Sequence, residues 1–318
     1  MLEERSVTRD DVLEAAERIS GLVERTPLIE SEIAGERVWL KCECLQTGGA
    51  FKLRGATNRL LQLSPEERVR GVVAFSSGNH ARGVAIAAKR LGIRAVIVMP
   101  SDAPQVKVDG TRAEGAEIVF YDRLSESREE IAGKLAAENG ATVVPSFDDP
   151  AIVAGQGTVG LEIAEQLGRA PRRIVTPCGG GGLASGIALA VPEAEIAIIE
   201  PEGWDDMRRS LELGRIVPVE ADAPPTFCDA IQTLRVAPLT FGILRQRKVT
   251  ALWVTDAEAA AAIRFAWDKH RLVVEPGAAV ALAALLAGRI EPGRDTVVVV
   301  SGSNIDPALH ARIVGQAG

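Results

Sequence analysis

Cysteine is scarce in this chain, basic residues are not in excess, and neither an unbroken apolar run nor a repeat is present. With 4 cysteines in 318 residues, a disulfide-stapled scaffold is excluded. A structural zinc site is excluded too, because Cys42-Glu-Cys44 lacks the two-residue spacer and no second pair answers it. The thiols, at 42, 44, 178 and 228, are expected to be reduced and mostly buried. Lys and Arg number 36 against 43 Asp and Glu, a net charge of −7, which argues against nucleic acid or an anionic membrane as main partner. The 31 glycines follow no three-residue period, so a collagen-like chain is excluded. The first residues, MLEERSVTRDDVLEAAERI, are charged from the third position and hold no apolar signal core, so a cytoplasmic protein is expected. The uncharged stretch from Ile174 to Pro192 contains four consecutive glycines and two prolines, unlike a lipid-exposed helix. What is present is 47% hydrophobic and 25% charged residues, enough to bury a core and more than one domain. Small molecules are the expected ligands.

Short β-branched runs alternate with longer Ala/Leu/Glu/Arg stretches, the pattern of a parallel sheet with helical crossovers, so the class is α/β. Strands are predicted at Arg37–Lys41, Gly71–Ala74, Ala95–Met99, Glu117–Phe120, Thr142–Val144, Arg173–Val175, Glu195–Ile199, Thr250–Val254 and Thr296–Val300. Helices are predicted over Arg9–Val23, Gly78–Leu91, Val106–Glu114, Ser125–Asn139, Gln156–Leu167, Asp256–His270 and Ala278–Leu286. Bends at Gln46–Gly49 and Pro145–Pro150 suggest that residues 48–147 form a small domain inserted into a large one made of 1–47 and 148–318.

Four segments could carry chemistry. In Gly48-Gly-Ala-Phe-Lys-Leu-Arg-Gly55 a lysine stands beside an aromatic where a helix begins. The positive end of the helix dipole disfavours its ammonium and favours a nucleophilic amine, suited to a Schiff base; a solvated surface lysine is the plainer alternative. Ser76-Ser-Gly-Asn-His80 follows a strand and opens a helix, where backbone N–H groups and hydroxyls can hold a carboxylate, or can simply cap the turn. Cys178-Gly-Gly-Gly-Gly182 makes the same transition. Four bare residues cost backbone entropy, and a phosphate held by successive N–H groups would explain them. Ser301-Gly-Ser-Asn304 places small polar groups at the end of the last strand. By contrast, Gly155-Gln-Gly-Thr-Val-Gly160 has dinucleotide spacing but follows no strand, so its glycines are expected to permit close helix packing.

Taken together these segments resemble the threonine/serine dehydratase and serine racemase family of fold type II pyridoxal-phosphate enzymes. Gly49-Ala-Phe-Lys-Leu-Arg-Gly-Ala56, Ser76-Ser-Gly-Asn-His80, Gly155-Gln-Gly-Thr158, Gly179–Gly182, Glu275-Pro276 and Ser301-Gly-Ser-Asn304 occur in that family's order. The resemblance, over about residues 8 to 310, implies two open, twisted, mostly parallel sheets with helices on both faces, 1–47 and 148–318 forming the cofactor-binding domain. It implies that Lys52 holds pyridoxal phosphate and removes the substrate α-proton, that Phe51 packs on the ring and that Asn79 bonds the ring hydroxyl. Gly179, Gly180, Gly181, Gly182 and the Leu183 amide would take the phosphate, and Ser301 would face the pyridine nitrogen. A hydroxyl there makes a weaker electron sink than a carboxylate partner and favours elimination over transamination. The substrate carboxylate would meet Ser76, Ser77, Gly78, Asn79 and His80.

The implied activity is α,β-elimination from a β-hydroxy amino acid, an L-threonine/L-serine ammonia-lyase, with 3-hydroxyaspartate ammonia-lyase and serine racemase as alternatives on the same site. A catalytically silent amino-acid sensor on this fold is the alternative from another class. The Ser-Ser pair resembles racemases and 3-hydroxyaspartate dehydratases more than dedicated threonine dehydratases, and Ser77 is either a second base or one more carboxylate donor. Arg128 matches an arginine that meets acidic substrates, or is a helix-surface arginine. Glu200-Pro-Glu-Gly-Trp-Asp-Asp206 resembles the family's divalent-cation loop, with Glu200, Asp206 and the Trp204 carbonyl on Mg²⁺ or Ca²⁺. Relatives read Ala-Asp-Gly where this chain has Cys228-Asp-Ala230, so the substrate pocket is expected to differ. A homodimer is expected, and isoleucine feedback through a C-terminal regulatory domain is not expected.

Overall fold

The computed structural model describes residues 6–315 apart from 77, 104, 123, 124 and 294. Among these, ten strands form two sheets: β1 (Leu28–Ile33), β2 (Glu36–Lys41), β3 (Val72–Phe75), β4 (Ala95–Pro100), β5 (Glu117–Tyr121), β6 (Thr142–Val143), β7 (Arg173–Pro177), β8 (Glu195–Pro201), β9 (Thr250–Val254) and β10 (Thr296–Val299). One sheet has the order β1-β2-β10-β7-β8-β9, the other β5-β4-β3-β6. Every pairing is parallel except β1 with β2. The α/β class and two mostly parallel sheets are as predicted.

The apolar runs read as they do because both faces of each sheet are covered. In β10, Val297 and Val299 join the core under the helices Arg9–Arg18, Pro150–Leu167 and Gly182–Ala190. The alternate Val298 and the following Val300 join the core under Asp256–His270 and Pro276–Leu286. The same alternation splits β3 and β4: Ala74, Ile97 and Met99 face one core, Val73, Val96 and Val98 the other.

Differences from the sequence expectation have local causes. Strand β1, Leu-Ile-Glu-Ser-Glu-Ile, was not predicted, because an antiparallel edge strand buries only alternate residues and tolerates its glutamates. The helix predicted from Gln156 starts at Pro150, where Asp149 accepts from the Ile152 N–H at 3.0 Å and proline occupies the first turn. Gly155 to Gly160 are therefore inside a helix. A Cβ on Gly157 would lie 2.7 Å from the Gly186 carbonyl oxygen, and one on Gly155 would lie 2.6 Å from the Gly55 Cα. These glycines let three helices touch along their backbones, as expected. Among the described residues no helix is long and apolar enough to cross a membrane.

Candidate active site

The C-terminal ends of β3, β7 and β10 open onto one cavity of ≈ 620 Å³, the edge at which open parallel sheets bind ligands. Lys52, the turn before Asn79, the glycine loop and Ser301 all line it.

Lys52 begins the helix Lys52–Leu61. The chain is brought there by the Phe51 N–H, which donates to the Ser301 carbonyl at 3.2 Å, and by an isolated bridge between Ala50 and Gly302. A buried ionic cluster anchors the helix beneath. Arg54 donates to both Glu43 oxygens at 2.8 Å and to the two Glu162 oxygens at 2.6 and 2.9 Å. Lys41 Nζ reaches Glu162 at 2.6 Å. Two cations meet two carboxylates, which is what allows four charges to be buried together. Lys52 Nζ projects to the cavity wall, donates to the Ser146 carbonyl at 2.8 Å and lies 5.1 Å from the Phe51 ring centroid. Desolvation of the amine pulls its pKa down to about 8, and its place in the first helical turn acts in the same sense.

Asn79 is fixed from both sides. Its Nδ2 donates to Glu275 Oε1 at 2.6 Å, and its Oδ1 accepts from Asn304 Nδ2 at 2.7 Å. Glu275 is buried, and burial lifts its carboxyl to a pKa of about 7. A Cβ on Gly302 would fall 1.8 Å from Glu275 Oε1, so only glycine admits this carboxyl. Glu275 did not stand among the expected site residues and Asn304 did so only as the end of the Ser301-Gly-Ser-Asn304 turn, without a role; the adjacent pair Glu275-Pro276 was the available signal for the carboxyl. In the same turn the Ser76 hydroxyl accepts from the Gly78 N–H at 3.1 Å. Ser77 lies outside the described residues. His80 is buried and its Nε2 meets the Val144 carbonyl at 2.9 Å. A carbonyl can only accept, so Nε2 carries the proton and Nδ1, buried with no partner, is a lone pair. Burial, reinforced by the Lys52 charge, lowers the ring pKa to about 3. His80 can thus offer an anion its backbone N–H but no ring proton from Nδ1.

The glycine loop turns through Gly181 at φ +84° into the helix Gly182–Ala190, which has no side-chain cap. Its first N–H groups are available to an anion. A packing cause, not anticipated from the sequence, adds to this. A Cβ on Gly180 would lie 2.2 Å from the Phe147 ring, and one on Gly181 would lie 2.9 Å from Met207. Leu183 and Ser301 are buried on the cavity wall.

Arg128 also lines the cavity, with its Nε on Glu129 at 2.8 Å and its guanidinium 5.6 Å from the Phe75 ring centroid. Glu200, Trp204 and Asp206 lie outside the residues that line this cavity. The Glu200 carboxylate accepts from the Met207 and Arg208 N–H groups at 3.0 and 2.8 Å. Burial, with Asp206 nearby, holds its pKa well above the usual range. Asp206 Oδ2 accepts from the Val236 N–H at 2.8 Å, Oδ1 is buried without a partner, and burial raises its pKa to about 7. Among the described residues no group of three or more His, Cys, Asp or Glu could hold a metal ion.

A family model described as pyridoxal-phosphate dependent enzyme matches residues 19–302. An L-threo-3-hydroxyaspartate ammonia-lyase of a Pseudomonas species is 42% identical, over 96% of this chain and 97% of that protein. The L-threonine ammonia-lyase of Thermotoga maritima is 39% identical over 98% of this chain and 79% of its own length. Maize serine racemase superposes with a TM-score of 0.91 at 34% identity, covering 97% of each chain.

Proposed function

Because the chain belongs to the family of pyridoxal-phosphate dependent enzymes, we propose that it is an ammonia-lyase that converts a β-hydroxy α-amino acid, L-serine or L-threonine among them, to a 2-oxo acid and ammonia. The observation that carries this is the shared cavity, in which a desolvated Lys52 amine faces an uncapped, glycine-lined helix start. The residues fit the cofactor. Lys52 would hold it, Phe51 would pack on the ring, Asn79 would bond the ring hydroxyl, Ser301 would face the pyridine nitrogen, and Gly179, Gly180, Gly181, Gly182 and Leu183 would take the phosphate. When bound, pyridoxal phosphate supplies the electron sink that acidifies the substrate Cα–H.

The chain's own groups do the rest. Ser76, Gly78, Asn79 and the His80 N–H hold the substrate α-carboxylate, and Ser77 adds a hydroxyl that serves as a carboxylate donor or as a second base for racemisation. Glu275 and Asn304 hold the Asn79 amide in one orientation, so its contact is pre-set before ligand arrives. The Lys52 Nζ amine would take the α-proton. The Cβ–O bond then breaks, the departing hydroxyl taking up one proton, equivalent to the one removed from Cα, to leave as water, and hydrolysis of the released enamine consumes one water and liberates ammonia. Residues 48–147, carrying the four-stranded sheet, act as a small domain against 1–47 and 148–318. Glu200, Asp206 and the Trp204 carbonyl would hold Mg²⁺ or Ca²⁺; the unpartnered Asp206 Oδ1 and the two acids with raised pKa are what a cation would relieve.

The test is to load the protein with pyridoxal phosphate and follow pyruvate, 2-oxobutyrate, oxaloacetate and D-serine from L-serine, L-threonine and L-threo-3-hydroxyaspartate. Oxo-acid formation that vanishes in Lys52→Ala supports the proposal. A cofactor spectrum indifferent to Lys52, or no turnover of any of the three, refutes it.

A further inference from the structure

The side chains of the cavity can be sorted by charge. Four cations line it, Lys52, Lys107, Arg128 and Arg235, together with the acids Glu129, Asp148, Asp229 and Glu275. Lys107 is paired with Asp229, and Arg128 is paired with Glu129 while lying over Phe75. Lys52 already donates to the Ser146 carbonyl. Arg235, exposed like Arg128, differs from all three in making no hydrogen bond or ion pair among the described residues.

Its backbone is nevertheless held on both sides. The Leu234 carbonyl accepts from the Val219 N–H at 2.9 Å, and the Val236 N–H donates to Asp206 Oδ2 at 2.8 Å. The segment is therefore a fixed base carrying a guanidinium with all five donors uncommitted. For Lys107 or Arg128 to bind a new anion, an existing carboxylate would have to be displaced. Arg235 has none to give up.

We propose that Arg235 is a specificity-determining residue, which selects substrates bearing a second carboxylate, of the 3-hydroxyaspartate class, over L-serine and L-threonine. The inference rests on the ammonia-lyase reading above. The α-carboxylate goes to the turn at Ser76–His80, and the β-carboxylate pairs with the Arg235 guanidinium, which lines the same cavity. A planar fork meeting a carboxylate makes two parallel charge-assisted bonds, which neither the hydrogen of serine nor the methyl of threonine can replace.

The experiment compares the holoenzyme with Arg235→Ala, Arg235→Lys and Arg128→Ala, measuring kcat/KM for L-threo-3-hydroxyaspartate and for L-serine. The expected result for Arg235→Ala is a fall of at least tenfold in the ratio of the two, most of it in KM for the dicarboxylate. Arg235→Lys should recover part of the ratio. An unchanged ratio in Arg235→Ala, or a loss of selectivity confined to Arg128→Ala, overturns the proposal. If the wild-type holoenzyme turns over none of the substrates, the ammonia-lyase reading fails by itself. Malonate then serves as the probe: a shift of the cofactor absorbance that weakens in Arg235→Ala keeps the carboxylate site, and one that does not weaken removes it.

Discussion

The Asn79 side-chain amide donates to Glu275 Oε1 at 2.6 Å across 196 positions of chain, joining the helix that follows β3 to the residue that caps the start of the helix Pro276–Leu286. Each side chain lines the cavity, and each would lose its orientation without the other. Such a buried polar pair has consequences for pH, because the carboxyl is held near neutrality while its unfolded counterpart is an ordinary glutamate.

In the folded apoprotein Glu275 keeps its proton up to about pH 7, whereas in the unfolded chain it ionises near ~4.3. Between those values the unfolded state binds fewer protons, so stability falls as pH rises, by about 1.4 kcal/mol per pH unit from this group. Glu275→Gln should remove that part of the slope. Urea titrations of both apoproteins between pH 4.5 and 7 measure it, and parallel curves would count against a raised Glu275.

Cofactor uptake should follow the neutral fraction of Lys52. With its pKa at about 8, the rate at which apoprotein combines with pyridoxal phosphate is expected to climb about tenfold per unit below that value and to level off above it. Stopped-flow absorbance from pH 6 to 9.5 reports the profile. Lys52→Ala should abolish the covalent band and lower turnover by at least ~10³-fold.

Gly181→Ala forces a Cβ into a left-handed conformation and to 2.9 Å from Met207. The strain alone is about 1–2 kcal/mol, so cofactor affinity is expected to drop roughly tenfold, read by fluorescence titration. Equal affinity would mean that the loop relaxes without cost.

Arg54→Met leaves the buried Glu43 and the partly buried Glu162 with Lys41 as the remaining cation of the cluster. Loss of one partner from a buried ion cluster costs about 3–5 kcal/mol, which should appear as a lower urea midpoint and weaker cofactor retention. A change below ~1 kcal/mol would show that the cluster is not what seats the Lys52 helix.

Added Mg²⁺ or Ca²⁺ should raise the melting temperature of the holoenzyme, and Asp206→Asn should suppress the rise. A shift of equal size in both proteins places the cation elsewhere.

Much of this molecule could be read from one-dimensional patterns. Both faces of β10 are packed, so Thr296–Val299 must be an apolar run, and a parallel sheet followed from such runs alternating with helical ones. The glycine loop and Lys52 were legible because strand-to-helix turns place backbone N–H groups and a side chain at the same sheet edge. The edge strand β1 was not, since its alternation is diluted by exposed glutamates. The two reasons for the glycine run were likewise inseparable in sequence, because the Phe147 ring that presses on Gly180 is distant in the chain.

The sequence by itself determined the α/β class and singled out Lys52 and the glycine- and serine-rich turns as candidates, because each depends on neighbours within a few residues. Only the tertiary structure decided that Glu275 and Asn304 clamp Asn79, that His80 keeps its proton on Nε2, and that Arg235 alone of the cavity's cations has no partner among the described residues. Those are properties of charge and hydrogen-bond pairing between segments far apart in the chain. Pairing of that kind exists only once the two sheets have brought their strand ends to one cavity.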